Sequence, residues 1–261
     1  MYRSRRGVAT PTRLRLWSYL MHVVVRTLTK LPVAPLVLPA NEVHVWQAPF
    51  DTLEVRPDEF ATVLVADERK RAERYTHARA RDQFLCGRGL LRGLLGAYTG
   101  VAPGDVPITV EPDGKPALGE GGRGLLFNIS HTDGVAVFAV AGVRVGVDVE
   151  FRRTVANADG LVERYFAPAE RKQYQNLPGE LQPAGFLRGW TCKEAVLKGL
   201  GCGIRGLDRA VVDLDPRDRP AVVGPPETMS AWAVCCWEPT TSHVAAVAAA
   251  CNELIFTNTH D

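Results

Sequence analysis

Gly146-Val147-Asp148-Val149-Glu150 alternates apolar and acidic residues, which is the pattern of a strand. Residues two apart on a strand share a face, so Asp148 and Glu150 point the same way. Further along the chain, Trp190-Thr191-Cys192-Lys193-Glu194-Ala195-Val196-Leu197-Lys198 places Trp190, Glu194 and Lys198 at steps of four, along one stripe of a helix. Three carboxylates and a lysine can therefore meet at one spot. Oxygen-only ligands suit a hard cation such as magnesium, which keeps several waters and bridges to substrate phosphates. A lysine beside them suits an anionic leaving group. Each segment also has an ordinary reading. Asp148 and Glu150 fit the solvated face of an edge strand. Glu194 and Lys198 fit a helix salt bridge worth about 0.3–0.5 kcal/mol, and Trp190 fits a core position. The strongly apolar run from Val135 to Val147 argues for a central strand instead. There, two like charges repel and a cation would relieve them.

Two segments upstream can bind phosphate. Phe127-Asn128-Ile129-Ser130-His131 closes a strand after a glycine-rich loop. Neighbouring Ser and His face opposite sides of a strand and so make no catalytic dyad. At a strand end, however, a hydroxyl, an imidazole and free backbone N–H groups can hold an anion. Asp113-Gly114-Lys115-Pro116 is a β-turn that either leaves Lys115 exposed or sets it beside a ligand phosphate.

The elements that must position these groups follow from periodicity. Globular patterning starts at Glu42, with a strand over Glu42–Trp46 and short helices over Asp58–Leu64 and Asp67–Tyr75. A long helix is expected over Arg79–Tyr98, and strands over Val106–Val110, Leu125–Ile129, Val135–Val140 and Val143–Val149. The second half repeats the order: helices over Gly160–Phe166, Pro168–Gln175 and Phe186–Leu200, then strands over Val211–Leu214, Ser230–Cys236 and His243–Ala249. Phe84-Leu85-Cys86-Gly87 and Phe186-Leu187-Arg188-Gly189 sit at matching points of the two long helices, a faint sign of duplication. The expected fold class is α+β in two similar halves, each with helices packed on a small three-stranded antiparallel sheet and with the active site in the cleft between them. The expected divisions are a basic, poorly ordered extension over 1–41, a first half over 42–145, a second half carrying the metal site over 146–251, and a tail over 252–261.

Composition narrows the classes. The chain has 261 residues, 46% hydrophobic and 23% charged, which is ordinary for a soluble globular protein. A net charge of +2 and the absence of a concentrated basic stripe give no reason for a nucleic-acid partner. Six cysteines without a Cys-x-x-Cys pair fit free thiols in the cytoplasm better than a disulfide framework or a structural zinc site. No apolar run reaches the roughly 18 residues of a spanning helix, so no stable membrane association is expected. The first 41 residues hold seven Arg or Lys and no acid. An amphipathic surface helix or targeting segment is one reading of them, and an ill-ordered extension, or an over-long start with Met21 nearer the true beginning, the other.

Taken in order, Gly-Lys-Pro, Phe-Asn-Ile-Ser-His, Gly-Val-Asp-Val-Glu and Trp-Thr-x-Lys-Glu-Ala-x-x-x-Lys resemble the 4′-phosphopantetheinyl transferases, over roughly Val43 to Val247. The length is similar to that of the larger, surfactin-synthetase-activator type, a pseudodimer in one chain and hence a monomer. The resemblance implies transfer of 4′-phosphopantetheine from coenzyme A to a serine of an acyl, polyketide or peptide carrier protein, with release of 3′,5′-ADP. A chain of this size in that family often serves secondary-metabolite synthesis, and some members serve fatty-acid synthesis or lysine metabolism. It implies Mg²⁺ on Asp148, Glu150 and Glu194, Lys198 at the leaving group, and a carboxylate, most often the one at the Glu194 position, as base toward the serine. It implies coenzyme-phosphate contacts from Lys115, Ser130 and His131, and looser ones from Arg71 and Arg79. Glu170, in a Phe-x-x-x-Glu element, is a weaker candidate for the active site. Two other readings are a non-catalytic binder of coenzyme A or carrier proteins and an unrelated magnesium-dependent phosphotransferase or nuclease. The complete acidic and lysine set disfavours the first, and the missing Gly-x-x-x-x-Gly-Lys-Ser/Thr loop disfavours the second.

Overall fold

The computed structural model describes residues 20–112, 114–203, 206–208, 210–218 and 232–258. In chain order the main elements begin with strands β1 (Leu20–Thr27) and β2 (Glu42–Pro49), followed by helices α1 (Pro57–Phe60), α2 (Ala66–Glu73) and α3 (Ala78–Thr99). Strands β3 (Ile108–Val110), β4 (Pro116–Leu118), β5 (Leu126–Thr132), β6 (Val135–Ala141) and β7 (Val145–Phe151) come next. Helices α4 (Ala158–Tyr165), α5 (Pro168–Asn176) and α6 (Gln182–Leu200) precede strands β8 (Ala233–Trp237), β9 (His243–Ala249) and β10 (Glu253–Asn258). The class is mixed α+β. The long helices end as glycine directs: Gly100 (φ 72°) and Gly201 (φ 75°) take the left-handed conformation that closes α3 and α6.

The layers are read from which side chains meet. Every residue of β6 is buried, so the strand serves two cores at once. Its Ala136, Phe138 and Val140 pack against Leu90, Leu91, Leu94 and Leu95 of α3. Its Val135, Val137, Ala139 and Ala141 face the other way, onto Val145, Val147 and Val149 of β7 and Ala245, Val247 and Ala249 of β9. Ala246 and Ala248 on the far side of β9 then pack on Ala195 and Val196 of α6. The stack is therefore helix, sheet, sheet, helix, with α3 and α6 as the outer covers.

The first sheet departs from the expectation of three antiparallel strands. It has five, in the order β10-β1-β2-β6-β5, and β1 runs parallel to both of its neighbours. The second is three-stranded and antiparallel, β7-β9-β8. Two divisions need correcting as a result. Residues 20–27, assigned to the poorly ordered extension, form an interior strand whose Met21, Val23 and Val25 are core residues. Residues 253–258, assigned to the tail, form the strand that flanks it. Residues 1–19 and 259–261 lie outside the described residues. Val23-Val24-Val25 is the continuous β-branched run of a strand buried on both faces, and its partners come from far along the chain. Deleting residues 1–41 is therefore expected to abolish cooperative folding, because the lost core side chains are each worth about 2–5 kcal/mol against a total stability of roughly 5–15 kcal/mol. A deletion variant with an unchanged melting curve by calorimetry would refute that placement.

The strand expected over Val211–Leu214 is also absent, with only a single bridge at Val212. Side chains of α5 take the place of a neighbouring strand: Glu170 Oε1 accepts from the Val212 N–H at 2.8 Å, and Gln173 Oε1 from the Leu214 N–H at 3.0 Å. The strand expected over Ser230–Cys236 begins at Ala233, and residues 230 and 231 lie outside the described residues.

Candidate active site

The site lies where β5, at one edge of the first sheet, meets β7, at one edge of the second. An edge strand carries unpaired backbone groups that must find partners. Here the Asn128 side chain supplies one, its Oδ1 accepting from the buried Val147 N–H at 2.9 Å. That bond sets Ser130 of β5 beside Asp148 of β7, and Ser130 Oγ donates to Asp148 Oδ1 at 2.8 Å.

Alternation along β7 turns Val145, Val147 and Val149 to the first sheet and Gly146, Asp148 and Glu150 toward α6. The helix comes unusually close. A Cβ on Gly146 would stand 2.0 Å from Ala195 O and 2.3 Å from Gly199 N, so only glycine lets α6 lie backbone to backbone on this strand. The close approach brings Lys198 Nζ to 2.5 Å from Asp148 Oδ1 and 2.8 Å from Ser130 Oγ, to both of which it donates.

Asp148 is 4% exposed, and its second oxygen, Oδ2, is buried without a hydrogen-bond partner among the described residues. Such an atom costs about 1–3 kcal/mol unless something else satisfies it. Its acidic neighbours register the crowding. Burial, then the Asp148 charge, push the Glu194 carboxyl above its ordinary range, against the pull of Lys198. Burial, then Asp148, and more weakly Glu194, push Glu150 up as well, against Arg153 and Lys198. The three carboxylates thus share one electrostatic neighbourhood. Among the described residues no three acidic, His or Cys side chains stand assembled around a common metal position. Among the described residues the Lys198 ammonium, on Asp148 Oδ1, compensates part of this charge, and Arg153 acts on Glu150.

Lys115 reaches across from the β3–β4 turn, with Nζ donating to Gly199 O at 3.4 Å. With Asn128, Ile129, Glu194 and Lys198 it lines a cleft of about 240 Å³. His131 ends β5 with much of its surface open to solvent. Its imidazole is nonetheless held below its ordinary range, first by partial burial and then by the Lys198 and Arg71 charges. Arg71 stacks its guanidinium over Phe84 at 5.3 Å and so flanks the His131 end of the site. Arg79 is tied to Asp133 at 2.8 Å and lines a different cleft, of about 680 Å³, with Phe151 and His243. The structure brings together Asp148, Glu150, Glu194, Lys198, Ser130 and Lys115, sets His131 and Arg71 at their margin, and leaves Arg79 outside.

Glu170 does not reach the site. It is 1% exposed and bound to Lys193 Nζ at 2.6 Å, beneath α6. Trp190 packs on Phe186 and Tyr165 within the core. Motif reading passed over Asn128 and Gly146 as positioning residues. The glycine inside an apolar strand was the available sign of a close backbone approach. Asn128 carried no comparable mark.

Comparison with known proteins agrees with this organisation. Residues 144–248 match the model of the 4′-phosphopantetheinyl transferase superfamily, and residues 54–142 match that of the 4′-phosphopantetheinyl transferase N-terminal region. The chain is 41% identical over 226 residues to 4′-phosphopantetheinyl transferase HetI of Nostoc sp., covering 85% of this chain and 94% of that one. It is 27% identical over 150 residues to a 4′-phosphopantetheinyl transferase of Bacillus subtilis, covering 56% of this chain and 64% of the relative. With 4′-phosphopantetheinyl transferase AcpT of Salmonella typhi it shares 34% identity over 122 residues, 46% of this chain and 59% of that one. Both matched regions lie in one chain, on either side of the β5–β7 junction that carries the clustered carboxylates and lysine, and the chain belongs to the 4′-phosphopantetheinyl transferase family, in its larger type.

Proposed function

We propose that this chain transfers 4′-phosphopantetheine from coenzyme A to a serine hydroxyl of a carrier protein, with Mg²⁺ as cofactor and 3′,5′-ADP as the leaving group. The observation that carries the reading is the buried Asp148 Oδ2, without a hydrogen-bond partner among the described residues, beside two carboxylates whose proton affinity is raised first by burial and then by the Asp148 charge. Carboxylate oxygens in that state fit a hard dication. Asp148, Glu150 and Glu194 would hold it, and bound there it would offset charge on the coenzyme's pyrophosphate.

The chain's own residues divide the remaining work. Lys115, Ser130 and His131 hold the coenzyme's phosphates, and Arg71 adds positive charge at the same margin. Lys198 donates toward the phosphate that departs as 3′,5′-ADP, where negative charge grows as the P–O bond breaks. Glu194, with its raised proton affinity, accepts the proton that the serine oxygen loses as it bonds to the pantetheine phosphate. The acceptor is an acyl carrier protein or a polyketide or peptide synthetase carrier domain, and the enzyme works as a cytoplasmic monomer. No helix among the described residues is long and apolar enough to cross a membrane.

The direct test is mass spectrometry of apo carrier proteins incubated with the chain, coenzyme A and Mg²⁺, with gain of the phosphopantetheine mass as the expected result. No gain on any of a panel of fatty-acid, polyketide and peptide carriers would overturn the reading. Metal binding has its own signature. Glu150 and Glu194 have folded-state pKa values above their unfolded ones, so their ionisation costs stability, and that cost fades as pH falls through the raised values toward the ordinary carboxylate range. Mg²⁺ is therefore expected to raise the melting temperature at pH 8 and to do so less at pH 5. At a hundredfold excess over Kd the stabilisation is about 2.7 kcal/mol, or on the order of 5–10 °C for a chain of this size. Equal shifts at both pH values, or none at pH 8, would remove the metal from this site.

A further inference from the structure

Cys192 and Cys236 meet on the face of α6 opposite the site. Cys192 is fully buried in the helix, Cys236 is half-buried on β8, and their sulfurs are 3.0 Å apart. Cys236 also lines a cleft of about 490 Å³, open to solvent, together with Arg152, Arg153 and Arg188. Its neighbour Cys235 points the other way, as strand alternation requires, and packs into the core between the sheets. One thiol of the pair is therefore reachable from solvent and the other waits directly behind it. The hydrogen bond shared with Cys192 and the Arg188 charge hold the Cys236 thiol below its ordinary range, against the opposing effect of burial.

We propose that Cys192 and Cys236 form a reversible dithiol–disulfide switch, oxidised by hydroperoxides that enter through the arginine-lined cleft. Cys236 as thiolate attacks a peroxide oxygen, the O–O bond breaks, and a sulfenic acid and, after protonation, one water result. The Cys192 thiol then displaces that hydroxyl as a second water, forming the S–S bond. In sum, two thiols and one hydrogen peroxide give one disulfide and two waters. A thiol reductant returns the pair to the dithiol state.

The consequence for activity follows from where Cys192 sits. A disulfide needs its sulfurs about 2.0 Å apart, so closing the 3.0 Å contact shifts α6 against β8. The same helix carries Glu194, two residues on, and Lys198, whose distances to Asp148 and Ser130 leave little slack. Displacements near 1 Å at a reacting centre cost up to about a hundredfold in rate, and a fall of about tenfold is expected here. This activity arm rests on the proposed function, whereas formation of the crosslink does not.

The reduced protein is treated with hydrogen peroxide and examined by intact mass and by non-reducing peptide mapping, and transfer to a carrier is timed before and after dithiothreitol. The expected result is loss of two hydrogens, a link between the Cys192 and Cys235–Cys236 peptides, and a rate that falls about tenfold and recovers on reduction. Cys235→Ala retains all three effects. Cys236→Ala keeps the basal rate and loses the link and the sensitivity. Oxidation confined to the exposed Cys202, or a link that survives Cys236→Ala, overturns the pairing. A link that forms without change in rate overturns the switch while leaving the proposed function standing.

Discussion

Asp148→Asn is expected to lower phosphopantetheine transfer at least a hundredfold while leaving the fold no less stable than the parent by more than about 1 kcal/mol. The two halves of that outcome come from different features of one side chain. Asp148 is the centre of the site: its Oδ1 takes hydrogen bonds from both Ser130 and Lys198, and its Oδ2 is buried without a partner among the described residues. Removing one preorganised charge from such a centre typically costs 10²–10³ in rate. Yet the same charge pushes Glu150 and Glu194 away from their ionised forms. An asparagine keeps the shape and the Oδ1 acceptor, loses the ion pair with the partly exposed Lys198, and lifts the repulsion on the two glutamates. These opposing changes nearly cancel in stability. They do not cancel in rate, because the neutral amide carries no charge at the centre of the site. Paired measurements of kcat/KM and of chemical unfolding decide the matter. Transfer within tenfold of the parent would remove Asp148 from the chemistry. A loss of several kcal/mol would instead make it a structural residue whose effect on rate is indirect.

Much of this site was legible in the sequence because its chemistry-bearing residues are local in two elements. Period two along 146–150 and period four along 190–198 placed Asp148, Glu150, Glu194 and Lys198 on the correct faces without knowledge of the fold. The junction that joins the elements was not legible. Asn128 acts by turning its amide toward a backbone N–H that only the meeting of two sheet edges exposes. Arg79 is a second case of a partner supplied from afar: Asp133, at the β5–β6 turn, pairs with it, and it lines a different cleft. The termini were misread for a related reason. β1 is parallel to both partners, and those partners begin at residues 42 and 253. No local signal distinguishes a strand of that kind from an apolar extension. The mixed α+β class survived, since helix and strand periods are local properties. The five-stranded first sheet did not come through, because its order depends on distant pairings.

Glu170→Leu is expected to destabilise the fold by more than Lys193→Met, and Lys193→Met by about 3–5 kcal/mol, with neither acting on the chemistry of the folded molecules. Lys193 is 0% exposed and is held by Glu170 Oε2 at 2.6 Å, by Ala210 O at 2.7 Å and by the face of Phe166 at 5.1 Å. Burial pushes its ammonium below the ordinary range, against the pull of Glu170. Breaking a buried pair from one side leaves an uncompensated charge, which is the source of the 3–5 kcal/mol. Glu170 does more than pair. Its oxygens also accept from Ala167 N at 2.7 Å and Val212 N at 2.8 Å, so it fastens the start of α5, the segment around Val212 and the underside of α6 together. Leucine at 170 leaves those two N–H groups and the ammonium all unsatisfied, each at about 1–3 kcal/mol or more. The lysine-to-methionine change leaves Glu170 its two backbone donors, hence the ranking. Lys193 is next in sequence to Glu194, but successive helical residues point in different directions, and this one points into the core. Denaturant midpoints with unchanged slopes, combined with kcat per folded molecule, test both claims. A Lys193→Met protein as stable as the parent but slow in transfer would mean that the lysine belongs to the reaction after all.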